Sequence, residues 1–169
     1  MRAGGQSKVP INSVLLFLFT IFYLLPLFGK VSWEVRGLGF GFLITGCFAG
    51  ALLPLKTAKE ARHPIALSAV DITSILELVA VSTGFIIGCV WGRWWYLAPI
   101  VLSSVVVHYT ALSVAFRRIC DFVALPCSGM ALIIALAAPA DTYIKYWALA
   151  GGIIAGTTAL YAITLCRVR

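Results

Sequence analysis

Three side chains in this sequence have the chemistry to bind or move a proton while standing among apolar residues. Asp71 and Glu77 lie in SAVDITSILELVAV (68–81), and His108 lies in APIVLSSVVVHYTALSVAF (98–116). A carboxyl and an imidazole within hydrogen-bond reach share a proton and titrate as a coupled pair. Such a pair ties two helices together, holds the polar head of a ligand, or relays a proton. Glu77 and His108 are therefore the candidate catalytic residues. With Ser74 and Ser104 they are also the candidate ligand-binding residues. No nucleophile, metal set or phosphate loop accompanies them, so no reaction class follows. His63 is the only other histidine, and the five cysteines form no C-x-x-C pair. No metal is expected, and the cysteines read as packing residues.

The elements that must carry these groups are membrane helices. The chain has 169 residues, 62% hydrophobic and 11% charged, against about 25% charged in a soluble domain. Six apolar segments are drawn at about 11–29, 37–55, 69–91, 95–116, 122–139 and 147–165. Each is long enough to cross a hydrocarbon core of ~30 Å as a helix. The expected fold is an all-α, polytopic transmembrane bundle of six spans forming one domain over 1–169. The first run is too long for a signal-peptide core of about 7–15 residues, so it is expected to be a retained span. The connections are short, which makes sequence neighbours antiparallel hairpins. The net charge of +7 invites a nucleic-acid partner. The basic residues are scattered between apolar runs with no groove of stacking aromatics, so none is expected.

Six spans divide the Lys and Arg residues unevenly. Arg2, Lys8, Lys56, Lys59, Arg62, Arg117, Arg118, Arg167 and Arg169 fall on one side. Lys30, Arg36, Arg93 and Lys145 fall on the other. The positive-inside rule then puts both termini on the cytoplasmic or matrix face. Lys56, Lys59, Arg62, Arg117 and Arg118 are the expected contacts to headgroups or an acidic partner. On the opposite face WGRWWY (91–96), with Trp33, Tyr143, Tyr146 and Trp147, reads as an interfacial aromatic belt.

Asp71 sits near the basic boundary of its span, where it caps a helix start beside Lys59 or Arg62. Glu77 lies about eight residues inside, about 12 Å deep. There an ionisable group is costly unless it is paired or protonated. Ser74, Glu77, Val81, Gly84 and Gly88 recur at helical spacing, and Ser104, His108, Ala111 and Ala115 form a matching stripe. Glu77 and His108 are each about 15 residues from a turn centred near Gly92 and Arg93, which predicts a level, facing pair. Small-x-x-x-small spacing at Gly46/Gly50 and Gly152/Gly156, with Gly84 and Gly88, marks helix-packing faces. These faces close the bundle or dock a partner.

The stretch SILELVAVSTGFIIGCVWGRWWYLAPIVLSSVVVHYTALSVAFRRICDFVALPCSGMALIIALA (74–137) resembles the DoxX-like group of small four-helix membrane proteins. The shared features are the LELV sequence, a Gly-containing turn, and a following helix with a late His. The resemblance implies a four-helix core over about 37–139, with the first and last spans as additions. It implies that Glu77 and His108 occupy the group's polar positions, and that the chain serves as an accessory subunit of a membrane redox complex or as a membrane chaperone. ELV (77–79) followed by API and His108 is also similar to the emopamil-binding (EXPERA) family of sterol isomerases and sterol binders. FYLLPLFG (22–29) with RHP (62–64) is similar to reticulon-binding proteins of the endoplasmic reticulum and nuclear envelope.

The expected function is non-catalytic. The chain would be an accessory or assembly subunit of a larger membrane complex, docking through its small-residue faces on other integral membrane proteins and on lipids. No cofactor is expected beyond a bound lipid, sterol or quinone. The alternatives are a binder or isomerase of such a molecule using Glu77 and His108, and a small transporter. In a eukaryote the expected location is the endoplasmic reticulum or the mitochondrial inner membrane.

Overall fold

The computed structural model describes residues 20–52 and 64–167, and the regular structure within them is helical. A helical segment over 20–24 tightens into a 3-10 turn, Leu25–Phe28, at Pro26. Five long helices follow: α1 (Trp33–Leu52), α2 (Pro64–Trp91), α3 (Leu97–Phe116), α4 (Ile119–Leu136) and α5 (Tyr143–Arg167). A second 3-10 turn, Trp94–Tyr96, leads into α3. All five long helices contain a stretch long and apolar enough to cross a membrane. The first half of the first expected span, residues 11–19, falls outside the described residues.

Helices α1, α4 and α5 begin three or four residues before the apolar segments that identify them. The reason is that backbone hydrogen bonding continues through polar interfacial residues such as Glu34, Arg36, Asp121 and Lys145. Hydropathy falls at these residues but the helix does not end.

The helices pack in an order that differs from their order in the chain. Helix α1 lies along α5, α5 along α4, α4 along α3, and α3 along α2, while the N-terminal segment rests on α5. Helix α5 is the innermost element, and residues 151–161 are all buried. This corrects the expectation of a four-helix core with a flanking helix at each end. Small residues line both sides of α5 in the run AGGIIAGTTA, so neighbours approach it from two directions.

The glycine faces explain the closeness. A Cβ added at Gly152 would stand 2.5 Å from Gly39 Cα, and one at Gly50 would stand 2.9 Å from Leu160 O. One at Gly46 would overlap the Gly156 backbone, and one at Gly156 would overlap Phe42 O. The faces expected to dock a partner are therefore occupied by each other, closing α1 on α5. On α2, a Cβ at Gly84 would stand 2.5 Å from Leu97 Cδ1, and one at Gly88 would stand 2.5 Å from the Trp94 ring.

Large apolar side chains point outward, among them Ile44 and Phe48 on α1, Ile75, Val79 and Ile86 on α2, and Ile133 on α4. The interior holds Leu97, Leu102 and Ile154 among many Ala, Ser and Thr residues, together with Tyr109, Tyr161 and Asp121. In lipid no hydrophobic force draws helices together, so close van der Waals contact between small residues does that work.

Candidate functional site

The register between α2 and α3 decides which polar groups meet. Gly88 faces Trp94, Gly84 faces Leu97, and Thr73 bonds His108, so every pairing is centred on residue 90 or 91. The expected centre was Gly92–Arg93. Trp94 folds back over Gly88, so the chain reverses before the middle of its loop. His108 consequently meets Thr73, one helical turn from Glu77. Its Nδ1 lies 3.1 Å from Thr73 Oγ1. That hydroxyl donates to Val70 O at 3.0 Å. With its single proton committed there, the oxygen accepts from Nδ1–H and leaves Nε2 as the open acceptor. This replaces the expected direct Glu77–His108 pair.

Helix α2 has 28 residues, about 42 Å of helix for a hydrocarbon core of about 30 Å. The stretch of α2 apolar enough to cross a membrane is Ser68–Trp91, and Asp71 is exposed near its start. Glu77 is half-buried and about 9 Å further in. The N-terminal segment brings the Tyr23 phenol beside its carboxyl, and Tyr109 of α3 is within electrostatic range. Both tyrosines are buried, at 3% and 4% exposure. Tyr23 also lines a crevice of about 10 Å³ with Phe22, Leu102, Trp147 and Gly151. That is room for about one water molecule.

A second polar cluster sits where α3, α4 and α5 converge. Arg117 adopts the left-handed conformation (φ 49°) at the end of α3 and turns the chain within two residues. Arg118 then starts α4. Asp121 is fully buried, with 0% exposure. Its Oδ2 accepts from the Arg118 backbone N–H at 2.8 Å and from Nε at 3.1 Å, and its Oδ1 accepts from Nη2 at 3.1 Å. The Tyr161 hydroxyl of α5 also donates to Oδ1. The Arg118 guanidinium lies 4.6 Å from the Phe116 ring centre and 5.5 Å from that of Tyr161. Tyr161 stacks on Tyr109 of α3 at 5.5 Å. This network binds three helices and leaves the carboxylate saturated with donors. Asp121 at the third position of α4 reaches back to the Arg118 backbone N–H, which is the acidic half of a capping box.

The remaining candidates are dispersed. Ser104 is buried and donates to Val101 O at 2.7 Å. Ser74 is exposed and donates to Val70 O at 2.9 Å. Arg118 is committed to Asp121 and Arg117 is exposed, while Lys56, Lys59 and Arg62 lie outside the described residues. No group of three or more His, Cys, Asp or Glu with metal-binding proximity occurs among the described residues. The fold defines an all-helical protein with apolar helices of membrane-spanning length. No family model, curated protein or solved structure matches the chain.

Proposed function

We propose that this protein is a non-catalytic accessory or assembly subunit of a larger membrane complex. The observation that carries this reading is the Asp121 clamp. The most buried charge in the described bundle is saturated by donors from its own chain and fixes three helices, as a structural part would. The glycine faces are spent on closing the bundle. Docking therefore falls to the outer apolar faces of α1 and α2, each of which packs chiefly on one neighbouring helix. The partners are other integral membrane proteins and the surrounding lipid.

In this reading the chain has six spans, with residues 20–28 ending the first. Arg117 and Arg118 mark the cytoplasmic or matrix side, and Lys30, Arg36, Arg93 and Lys145 mark the other. Photo-crosslinking from Ile44 and Val79 in native membranes tests the docking surface. A discrete protein adduct from either position is expected, and adducts to lipid alone would contradict it.

A second reading is favoured by the half-buried Glu77 and His108. There the bundle holds a sterol, quinone or other lipid by its polar head, in the manner of the DoxX-like or emopamil-binding groups it resembles. Recovery of one stoichiometric lipid species with the purified protein, lost in Glu77→Gln, would favour this reading over the first.

A further inference from the structure

We propose that Glu77 is a proton-binding site within the membrane. Its carboxyl takes up and releases a proton inside the hydrocarbon layer, framed by Tyr23, Tyr109 and the Thr73–His108 pair. This goes beyond the assembly role and does not depend on it.

The contrast with Asp121 carries the argument. Asp121 is ion-paired with Arg118 and has a guanidinium, a backbone N–H and a phenol for its two oxygens. Glu77 has no such set. The described basic residues near the bundle ends are Lys30, Arg36, Arg93, Lys145, Arg117, Arg118 and Arg167. Arg36 reaches Gly29 O, Arg118 is held by Asp121, and Arg167 reaches Gly50 O. A carboxyl about 9 Å inside a span has two affordable states: paired with a cation, or carrying a proton.

The groups facing it suit exchange. The titratable neighbours from the packed elements are Tyr23 of the N-terminal segment and His108 and Tyr109 of α3. On its own helix the next acid is Asp71, at the membrane boundary. Both phenols are neutral donors that can also accept. His108 is one turn away, with Nδ1 tied to Thr73 and Nε2 open, and so offers a second resting place for the proton. Glu77 and His108 are both half-buried rather than enclosed, so a lipid-soluble reagent reaches them without unfolding.

The test is labelling of the full-length protein in lipid vesicles with dicyclohexylcarbodiimide. The carboxyl proton passes to a carbodiimide nitrogen and the carboxylate oxygen bonds the central carbon. The adduct rearranges to a stable N-acylurea, located by peptide mass mapping. The expected result is labelling at Glu77 that falls by about tenfold per pH unit above its midpoint. Asp121 should remain unlabelled. Glu77→Gln should abolish the adduct and Glu77→Asp should retain it, which separates loss of the site from loss of the fold. His108→Ala should move the midpoint. An unlabelled Glu77 in vesicles where Asp71 is labelled would overturn the proposal. So would labelling of Glu77 that is flat across pH, since a permanently held proton is not exchanged.

Discussion

Replacing Gly152 by alanine should push α1 off α5. The new Cβ would stand 2.5 Å from Gly39 Cα, 3.0 Å from Gly39 O and 3.1 Å from Gly39 C. Carbon atoms rest at about 3.5–4.0 Å, so the helices must part by about 1 Å. The atoms in the way are backbone, and no rotamer change relieves them. Overpacking of this kind costs about 1–3 kcal/mol, and the rigid obstacle puts this site at the upper end. Alanine returns about 1 kcal/mol of helix propensity, which leaves a net loss of about 2 kcal/mol. Gly41 on α1 and Gly129 on α4 have nothing within 4 Å of an added Cβ. At those positions the propensity gain acts alone, so alanine should be neutral or stabilising by up to about 1 kcal/mol. Unfolding in mixed micelles of rising SDS fraction measures all three variants. A Gly152→Ala protein as stable as the parent, or a Gly129→Ala protein as damaged as Gly152→Ala, would show that α1 and α5 do not pack as described.

Other expectations follow from the clamps and the exposed thiol. Asp121→Ala leaves Arg118 without its buried carboxylate and should destabilise the bundle by about 3 kcal/mol, read by the same SDS titration. Tyr161→Phe keeps the stack on Tyr109 but removes a hydrogen bond to a charged acceptor, and should cost about 1.5–3 kcal/mol. Thr73→Val breaks the tie to His108 and should cost only about 0.6 kcal/mol, the typical interhelical value in membranes. Cys89 is exposed and Cys120 is 2% exposed. A lipid-soluble maleimide should therefore modify Cys89 in the folded protein and Cys120 only after denaturation, as mass mapping would report.

The long helices were legible because apolar run lengths match the bilayer, and their starts were missed where polar interfacial residues extend them. The antiparallel pairing of α2 and α3 was legible from the short turn at Gly92. The one-turn offset that gives His108 to Thr73 was not, because it depends on Trp94 packing over Gly88. Hydropathy carries no record of where a loop reverses. Tyr23 was hidden by being read only as part of an apolar span. The bond from Asp121 to Tyr161 joins α4 to α5 and needs the tertiary fold. The central place of α5 was the largest surprise. Its Gly and Ala residues were visible in the sequence, but small residues say only that something comes close.

Purification of the tagged chain from its native membrane in mild detergent, with sizing and protein identification, bears most directly on the assembly role. The predicted result is co-purification with a second integral membrane protein in fixed ratio, lost on mutation of the outer faces of α1 and α2 and kept in Glu77→Gln. A monomer that carries one stoichiometric lipid, sterol or quinone and no protein partner would contradict it.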